Sequence, residues 1–303
     1  MSRKVNFATL PTEQANPQVR SLDRMSIDAT LRHINRQDSQ VPRAVRAEIP
    51  RVAQAVRLLV GALQEGGRII FVGAGTSGRL GVLEAAECPP TFNTSPALVQ
   101  AVMAGGRASV FRSKEGAEDR AAEAVASIRR RVRPGDAVVG IAASGVTPFV
   151  RAALQEGRRC GARTILVSCN DRSPVKGLAD VAITPRTGPE VVVGSTRLKA
   201  GTATKLVLNM LTVATMVQMG KVYDHWMVDL QPRSRKLVAR ATRLVRMFTG
   251  LPERQAAALL RRAGGNAKRA IVMGRLGISA RAAEQLLKRH RGFLRPVLEN
   301  RGL

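Results

Sequence analysis

The sequence predicts an α/β fold: a parallel β-sheet flanked by helices, preceded by N-terminal helices and followed by a small helical domain. Three observations carry this reading. Short, continuous apolar runs of strand length recur between residues 68 and 183, separated by helical stretches. Two of those runs end in loops of glycine and hydroxyl residues that lead directly into a helix. Beyond residue 234 the apolar residues recur only at helical spacing. Strands alternating with helices imply right-handed crossovers and parallel pairing, and unbroken apolar strands imply burial on both faces.

The chain begins as a polar arm, where Thr9, Pro11, Thr12, Asn16 and Pro17 favour turns and extended backbone. A helix starts after Ser26, with Ile27, Leu31 and Ile34 as its apolar stripe. A second is expected over 42–64, where Val45, Ile49, Val52, Val56, Leu59 and Leu63 recur every three or four residues. Strands are expected at 68–72, 98–103, 137–142 and 164–167, with a weaker fifth at 181–183. Between them lie helical stretches at 80–87, 117–131 and 148–157, and a short one at 175–179. The first of these is expected to stop at Pro89-Pro90, which cannot continue a regular hydrogen-bond ladder. A long helix is expected over 197–219. Its apolar run from 206 is interrupted by Asn209, Thr212, Thr215 and Gln218, which suits a buried helix better than a bilayer span. Helices near 235–248, 252–263, 266–275 and 280–289 complete the chain, with Gly264-Gly265 and Gly277 as stops. The expected organisation is an arm with helices (1–50), an α/β ligand-binding domain (51–230) and a helical domain (231–303).

The 303 residues are enough for a sizeable core, and with only 3% aromatics that core must be built from Ala, Val, Leu, Ile and Met. Lys and Arg number 49 against 22 Asp and Glu, a net charge of +27. Such a field attracts anions of every kind. The excess arginine lies mostly outside the glycine-rich motifs, at 129–133 and through 233–295, and almost no aromatics are interleaved for stacking bases. A solvated, arginine-rich surface is therefore the plainer reading, and neither a nucleic-acid nor a membrane partner is expected. Cys88, Cys160 and Cys169 are too few for a disulfide framework and suit a reducing compartment. Three histidines far apart give no metal-ligand spacing, so neither metal nor cofactor is expected. The N-terminal stretch has no apolar segment of the secretory kind.

The chemistry is expected in three loops. Gly73-Ala74-Gly75-Thr76-Ser77-Gly78 follows a strand, precedes a helix and matches the dinucleotide pattern GxGxxG. A dinucleotide site also wants a carboxylate at the end of the second strand to hold a ribose. That strand here ends Val102-Met103-Ala104-Gly105-Gly106. The Thr76 and Ser77 hydroxyls, with free amides at a helix start, instead suit a compact phosphate monoester. Gly75, Thr76, Ser77 and Gly78 are then its ligands, although a tight turn with no ligand remains an alternative. A second loop, Ala142-Ala143-Ser144-Gly145-Val146-Thr147-Pro148, repeats the pattern after the third strand and adds Ser144, Gly145 and Thr147. Taken alone it is an ordinary strand–helix turn; beside the first it points to a shared ligand, because ligands gather at the carboxyl ends of such strands. The third stretch, 188–201, carries Glu190, Ser195, Thr196, Arg197 and Lys199. It is either a capped helix start or a source of a cation and a hydroxyl for the ligand.

Two glutamates complete the set. Glu87 falls in the last turn before the proline pair, where the negative end of the helix dipole disfavours a charge and favours an acid. Glu118, in the EGAED segment, falls in a first helical turn, where the dipole favours the carboxylate. Two carboxyls pushed in opposite directions make an acid–base pair if they converge on one substrate. The bland alternatives are a solvated helix end for Glu87 and ordinary helix-start chemistry for Glu118.

The strings GAGTSGRLGVLEAAECPPTF, EGAED, GIAASG, SCN, GPEVVVGSTRLKAGTATKLVLNML and GKVY closely resemble the bacterial N-acetylmuramic acid 6-phosphate etherases. The likeness runs from TEQANP through INRQD to GFLRPVL and so covers nearly the whole chain. The resemblance implies a flavodoxin-like sheet of the sugar isomerase (SIS) type, related to the glucokinase regulatory protein. It further implies a homodimer with sites at the subunit interface and a cytoplasmic role in cell-wall sugar recycling. The expected reaction cleaves the D-lactyl ether of N-acetylmuramic acid 6-phosphate by elimination and water addition. Its products are N-acetylglucosamine 6-phosphate and D-lactate, and its catalytic glutamates match Glu87 and Glu118. The chain departs from the family pattern at Val146, where the family has the arginine of SGRTP, and at Asp224-His225-Trp226 with Arg233 and Arg235 beyond. A non-catalytic phosphosugar sensor would keep the loops but need neither glutamate. A phosphosugar-dependent transcription regulator would want a helix-turn-helix before Gly73, where this chain has an arm and an amphipathic helix.

Overall fold

The computed structural model describes residues 6–230, 232 and 234–299, with Phe7 described by its backbone alone. Arg233 and the first five residues of the arm lie outside the described residues. The chain forms two compact units, residues 1–86 with 97–212, and residues 87–96 with 213–303.

The first unit is built on five strands: β1 (Ile69–Gly73), β2 (Val99–Met103), β3 (Ala137–Ile141), β4 (Arg163–Val167) and β5 (Val181–Ile183). All pair in parallel in the order β2-β1-β3-β4-β5, the flavodoxin-like arrangement. Gly73 lies opposite Met103 on one side and Ile141 on the other, so the loops that follow these three strands leave the sheet side by side. β1, β3 and almost all of β4 are buried, as unbroken apolar runs require. Alternate residues serve the two faces. Ile70, Val72, Val138 and Leu166 join one core cluster with Ile128, Phe149, Val150 and Leu154 from the covering helices.

Helices α1 (Ile27–Asp38), α2 (Val41–Ala47) and α3 (Ile49–Gln64) precede the sheet. The expected helix over 42–64 is thus two helices. Pro50 has no N–H to give, and its ring opposes the carbonyl four residues back, so the ladder restarts at Glu48. The expected stripe on α1 is also not its buried face. Ile27 is 81% and Leu31 59% exposed, while His33 and Gln37 turn inward. Between the strands lie α4 (Gly75–Phe92), the short α5 (Ala108–Phe111), α6 (Ala121–Arg131) and α7 (Pro148–Arg159). The stretch expected as one helix over 117–131 is a single 3₁₀ turn, Ala117–Asp119, followed by α6.

α4 runs through Pro89 and Pro90 to Phe92, where the sequence predicts a stop. The prolines remove two donors, but the Asn93 N–H donates to the Pro89 carbonyl at 3.0 Å and closes one more turn. Asn93 itself has a φ of 54°, the left-handed conformation in which asparagine commonly ends helices. α8 (Lys199–Gln218) is long and apolar enough to cross a bilayer, yet 56% of its apolar stretch is buried inside the protein, as in the core helix of a globular fold.

Among the described residues the second unit holds, besides the ends of α4 and α8, a hairpin, β6 (Val222–Tyr223) and β7 (Trp226–Met227), and five helices. These are α9 (Arg235–Thr249), α10 (Glu253–Arg262), α11 (Ala267–Leu276), α12 (Ala280–Arg289) and the short α13 (Arg295–Glu299). Asp224-His225 forms the hairpin turn, with Asp224 at a φ of 55°; α5, the hairpin and α13 have no counterpart in the sequence reading. Ser234, Asn266 and Ser279 cap α9, α11 and α12 by accepting a backbone N–H, and Gly250 and Gly277 end α9 and α11 in left-handed conformations. Leu244, Val245, Ile271, Val272 and Leu298 lie in one apolar core.

Candidate active site

A cavity of about 330 Å³ opens at the carboxyl ends of β1, β2 and β3. Thr76 and Ser77 reach it from the first turn of α4, and Ser144 and Thr147 from the loop between β3 and α7. Its floor is Ala74, Met103, Ala104 and Ala143. Two glycines make this geometry. A Cβ on Gly78 would sit 2.5 Å from Met103 Sδ and 2.6 Å from the Gly73 carbonyl oxygen, so only glycine lets α4 approach the sheet closely enough to aim its amide groups. Gly145 has a φ of 70°, and a Cβ there would meet Ser173 at 2.5 Å. Ser173 Oγ donates to the Gly145 carbonyl and Asn170 Nδ2 donates to the Ser144 carbonyl at 2.8 Å, which fixes the second loop from behind.

The segment after β2 closes one side. Arg79 on α4 donates to the Val110 and Ser109 carbonyls at 2.8 and 2.9 Å, pinning α5 beside the cavity. Ser109 lines it with a buried hydroxyl that has no hydrogen-bond partner among the described residues. Gly116, at a φ of 68°, turns the chain into the 3₁₀ segment, and Lys114, Glu115 and Glu118 reach the cavity from there. Glu118 is solvent-exposed within it. Glu13 from the arm, with Gly194 and Thr196, forms the remaining wall.

Of the residues singled out in the sequence, Gly75, Thr76, Ser77, Ser144, Thr147, Glu118 and Thr196 line this one cavity. Gly78 and Gly145 stand behind the two loops as space-makers rather than in the wall. Glu190, Ser195, Lys199 and Glu87 are not among the lining residues. Glu190 is 1% exposed, and its carboxylate accepts the Lys199 and Ala200 N–H groups at 3.0 and 2.9 Å, satisfying orphan donors at the start of α8. Burial pushes its pKa up, opposed by those two amides and by Lys199. Lys199 is equally buried and donates to Gln37 Oε1 at 3.0 Å. Glu87 lies exposed further along α4, and because that helix continues to Phe92 it is not in a last turn. The helix-end argument for its acidity therefore lacks its premise. Val146, the departure from the family pattern, is absent from this wall and lines a separate cavity with Asn170, Arg172 and Arg186. Glu13, Ser109 and Arg79 also line the cavity, and local sequence pattern does not single them out. The signal for Glu13 was its place in TEQANP, but nothing in that string says what it faces. Among the described residues no three His, Cys, Asp or Glu side chains converge as metal ligands would.

A parallel sheet in this order, with paired hydroxyl loops at its carboxyl edge, fits the SIS-domain class, and two family matches assign the chain to it. The family described as the glucokinase regulatory protein N-terminal SIS domain matches residues 51–158, and the SIS domain family matches 118–214. The fold is shared by a candidate phosphosugar isomerase of Bacteroides fragilis involved in capsule formation, at a TM-score of 0.51 and 18% identity over 66% of this chain and 95% of that one. Much nearer relatives cover most of the chain's length. The N-acetylmuramic acid 6-phosphate etherase of Symbiobacterium thermophilum is 52% identical over 87% of this chain and 88% of its own. Etherase 2 of Vibrio cholerae is 47% identical over 96% and 95%, and the etherase of Salinibacter ruber 49% over 96% and 94%. The chain belongs to the N-acetylmuramic acid 6-phosphate etherase family.

Proposed function

We propose that the protein cleaves the D-lactyl ether of N-acetylmuramic acid 6-phosphate, releasing D-lactate and N-acetylglucosamine 6-phosphate, in the recycling of cell-wall sugars. The observation that carries the reading is the single cavity in which two hydroxyl loops face Glu118. The loop hydroxyls and the free amides at the start of α4 suit the 6-phosphate. In the open-chain sugar, the aldehyde at C1 acidifies the proton on C2. The Glu118 carboxylate removes that proton, the C3–oxygen bond breaks, and a carboxylic acid protonates the departing lactate oxygen. Water then adds across the new double bond, its hydroxyl to C3 and its proton to C2. Each assisted proton transfer contributes about 10²–10⁴-fold.

Glu87 is the acid in this scheme, an assignment supported by the family resemblance of the ECPPT segment. It belongs with the homodimer, the second part of the proposal, because Glu87 is exposed on α4 and the resemblance implies sites at the subunit interface. A partner subunit supplying the acid is compatible with both facts. Unpartnered apolar residues support the dimer: Ile27 and Leu31 on α1, and Met210, Val213 and Val217 on α8. The cytoplasm is the proposed location, consistent with a chain whose three cysteines, Cys88, Cys160 and Cys169, are too few for a disulfide framework.

Incubation with N-acetylmuramic acid 6-phosphate in ¹⁸O-water tests the reading. D-lactate release with label in the C3 hydroxyl of the product is expected. Phosphosugar binding without lactate would instead assign a sensor like the glucokinase regulatory protein.

A further inference from the structure

Glu13 lies in the cavity wall although it belongs to an arm far from the sheet in sequence. We propose that this arm is a fixed part of the substrate pocket and that Glu13 is a specificity-determining residue whose carboxylate accepts a hydrogen bond from the sugar. The proposal rests on the phosphosugar reading above and goes beyond it in naming what holds the sugar moiety.

The arm is fastened through its backbone and through Asn16, not through Glu13. The Gly194 N–H donates to the Thr12 carbonyl at 3.2 Å. Asn16 Nδ2 donates to the Pro189 carbonyl at 3.1 Å and to Gln37 Oε1 at 3.0 Å. The same Gln37 oxygen accepts from Lys199 Nζ at 3.0 Å, and Gln37 Nε2 donates to Gln18 Oε1 at 2.6 Å. Asn16, Gln37 and Lys199 are 7%, 2% and 1% exposed. Burying an ammonium and two amides is costly unless they are used. Here they join three stretches distant in sequence: TEQANP, INRQD and the segment from Pro189 to Lys199. The result holds the arm against the loop whose Gly194 and Thr196 share the cavity wall, so close that a Cβ on Gly194 would lie 3.2 Å from Glu13 Oε2.

The chemistry of that wall says what Glu13 can do. Thr76, Ser77, Ser144 and Thr147 offer hydroxyl donors where the phosphate is read. Phosphate oxygens accept and, at neutral pH, have little to donate, so a carboxylate repels them. A carboxylate fits the donors of the sugar, its hydroxyls and its acetamido N–H. Among the described residues Glu13 forms no ion pair. Its Oε1 takes only a long hydrogen bond from Thr12 Oγ1, at 3.3 Å, which leaves acceptor capacity free.

The test compares wild type with Glu13→Ala and Glu13→Gln in the full chain. Three quantities are read: steady-state lactate release, affinity for N-acetylglucosamine 6-phosphate by calorimetry, and affinity for inorganic phosphate by competition. Glu13→Ala is expected to weaken sugar-phosphate binding and raise KM tenfold or more, the loss of one charge-assisted hydrogen bond. Phosphate affinity should stay the same or rise, Glu13→Gln should fall between, and melting temperature should not move. A general slackening of the pocket would weaken phosphate too, and that result overturns the proposal. Unchanged sugar-phosphate affinity in Glu13→Ala also overturns it, while leaving the etherase reading intact. A wild type that releases no lactate removes the proposed reaction but not this inference, which the two affinities then decide. A wild type that binds neither compound overturns both.

Discussion

Gly78 shows how much of this site depends on atoms that are absent. A methyl group there has backbone and a buried sulfur within 2.6 Å, and backbone cannot move aside as a flexible side chain can. Gly78→Ala is therefore expected to cost about 1–3 kcal/mol, the usual penalty for overpacking, and to lower phosphosugar affinity as α4 is pushed off the sheet. Thermal melting and calorimetry with N-acetylglucosamine 6-phosphate check both effects. Glu118 is the opposite case. It is exposed and carries no packing, so Glu118→Gln should leave the melting temperature unchanged while lactate release falls by about 10²–10⁴-fold, with little change in sugar-phosphate affinity. The hydroxyl residues of both loops were legible because strand, glycine, hydroxyl and helix start are contiguous in the chain. In the sequence Glu190 and Lys199 fit capping and ligand binding equally, and the amides and Gln37 around them are what turn them inward. Nothing in a local string specifies those partners.

At the scale of elements, α4 shows that prolines weaken a helix without ending it when a later residue closes the turn. The second unit shows a buried charge used as a fastener. Lys268, 5% exposed, donates to the carbonyls of Gly220 after α8 and Gly292 after α12, each at 2.8 Å, and to Asp229 at 3.3 Å. Lys221 approaches the same Asp229 oxygen at 2.8 Å. Burial pushes the Asp229 carboxyl up, but Lys268 and Lys221 together outweigh it and hold it below the ordinary aspartate range. A carboxyl with a depressed folded pKa adds stability that is present above its unfolded pKa and lost as pH falls through the folded value. Acid unfolding of the helical unit should therefore gain a component below about pH 4 that Asp229→Asn lacks. The same variant should be less stable at neutral pH by about 3 kcal/mol, because two lysines lose their shared counter-charge. Urea denaturation followed by helical circular dichroism at pH 7 and pH 3 checks both. No sequence period marks this cluster, since its members come from a helix end, a hairpin exit and two helices of the bundle.

At the scale of the whole molecule, the exposed apolar side chains among the described residues include Ile27 and Leu31 on α1 and Met210, Val213 and Val217 on α8. If they are the dimer surface, wild type should sediment at twice the 32.6 kDa of one chain, and a Met210→Arg, Val213→Arg double variant at the mass of one. A monomeric wild type would remove the proposed route by which Glu87 of a partner reaches the cavity. Much of the architecture needed no coordinates. The five strands, their alternation with helices, the two hydroxyl loops and the helical C-terminal region follow from runs and spacings within a few residues of one another. Those patterns reflect local hydrogen bonding and burial, which a contiguous stretch specifies by itself. The tertiary structure decided what local patterns cannot carry. It turned the apolar stripe of α1 outward and Gln37 inward, carried α4 past its prolines, and laid Glu13 in the cavity wall beside Gly194. Each of these depends on partners far away in the chain. A buried amide or ammonium is placed by the groups that satisfy it, and those groups meet only once the chain has folded.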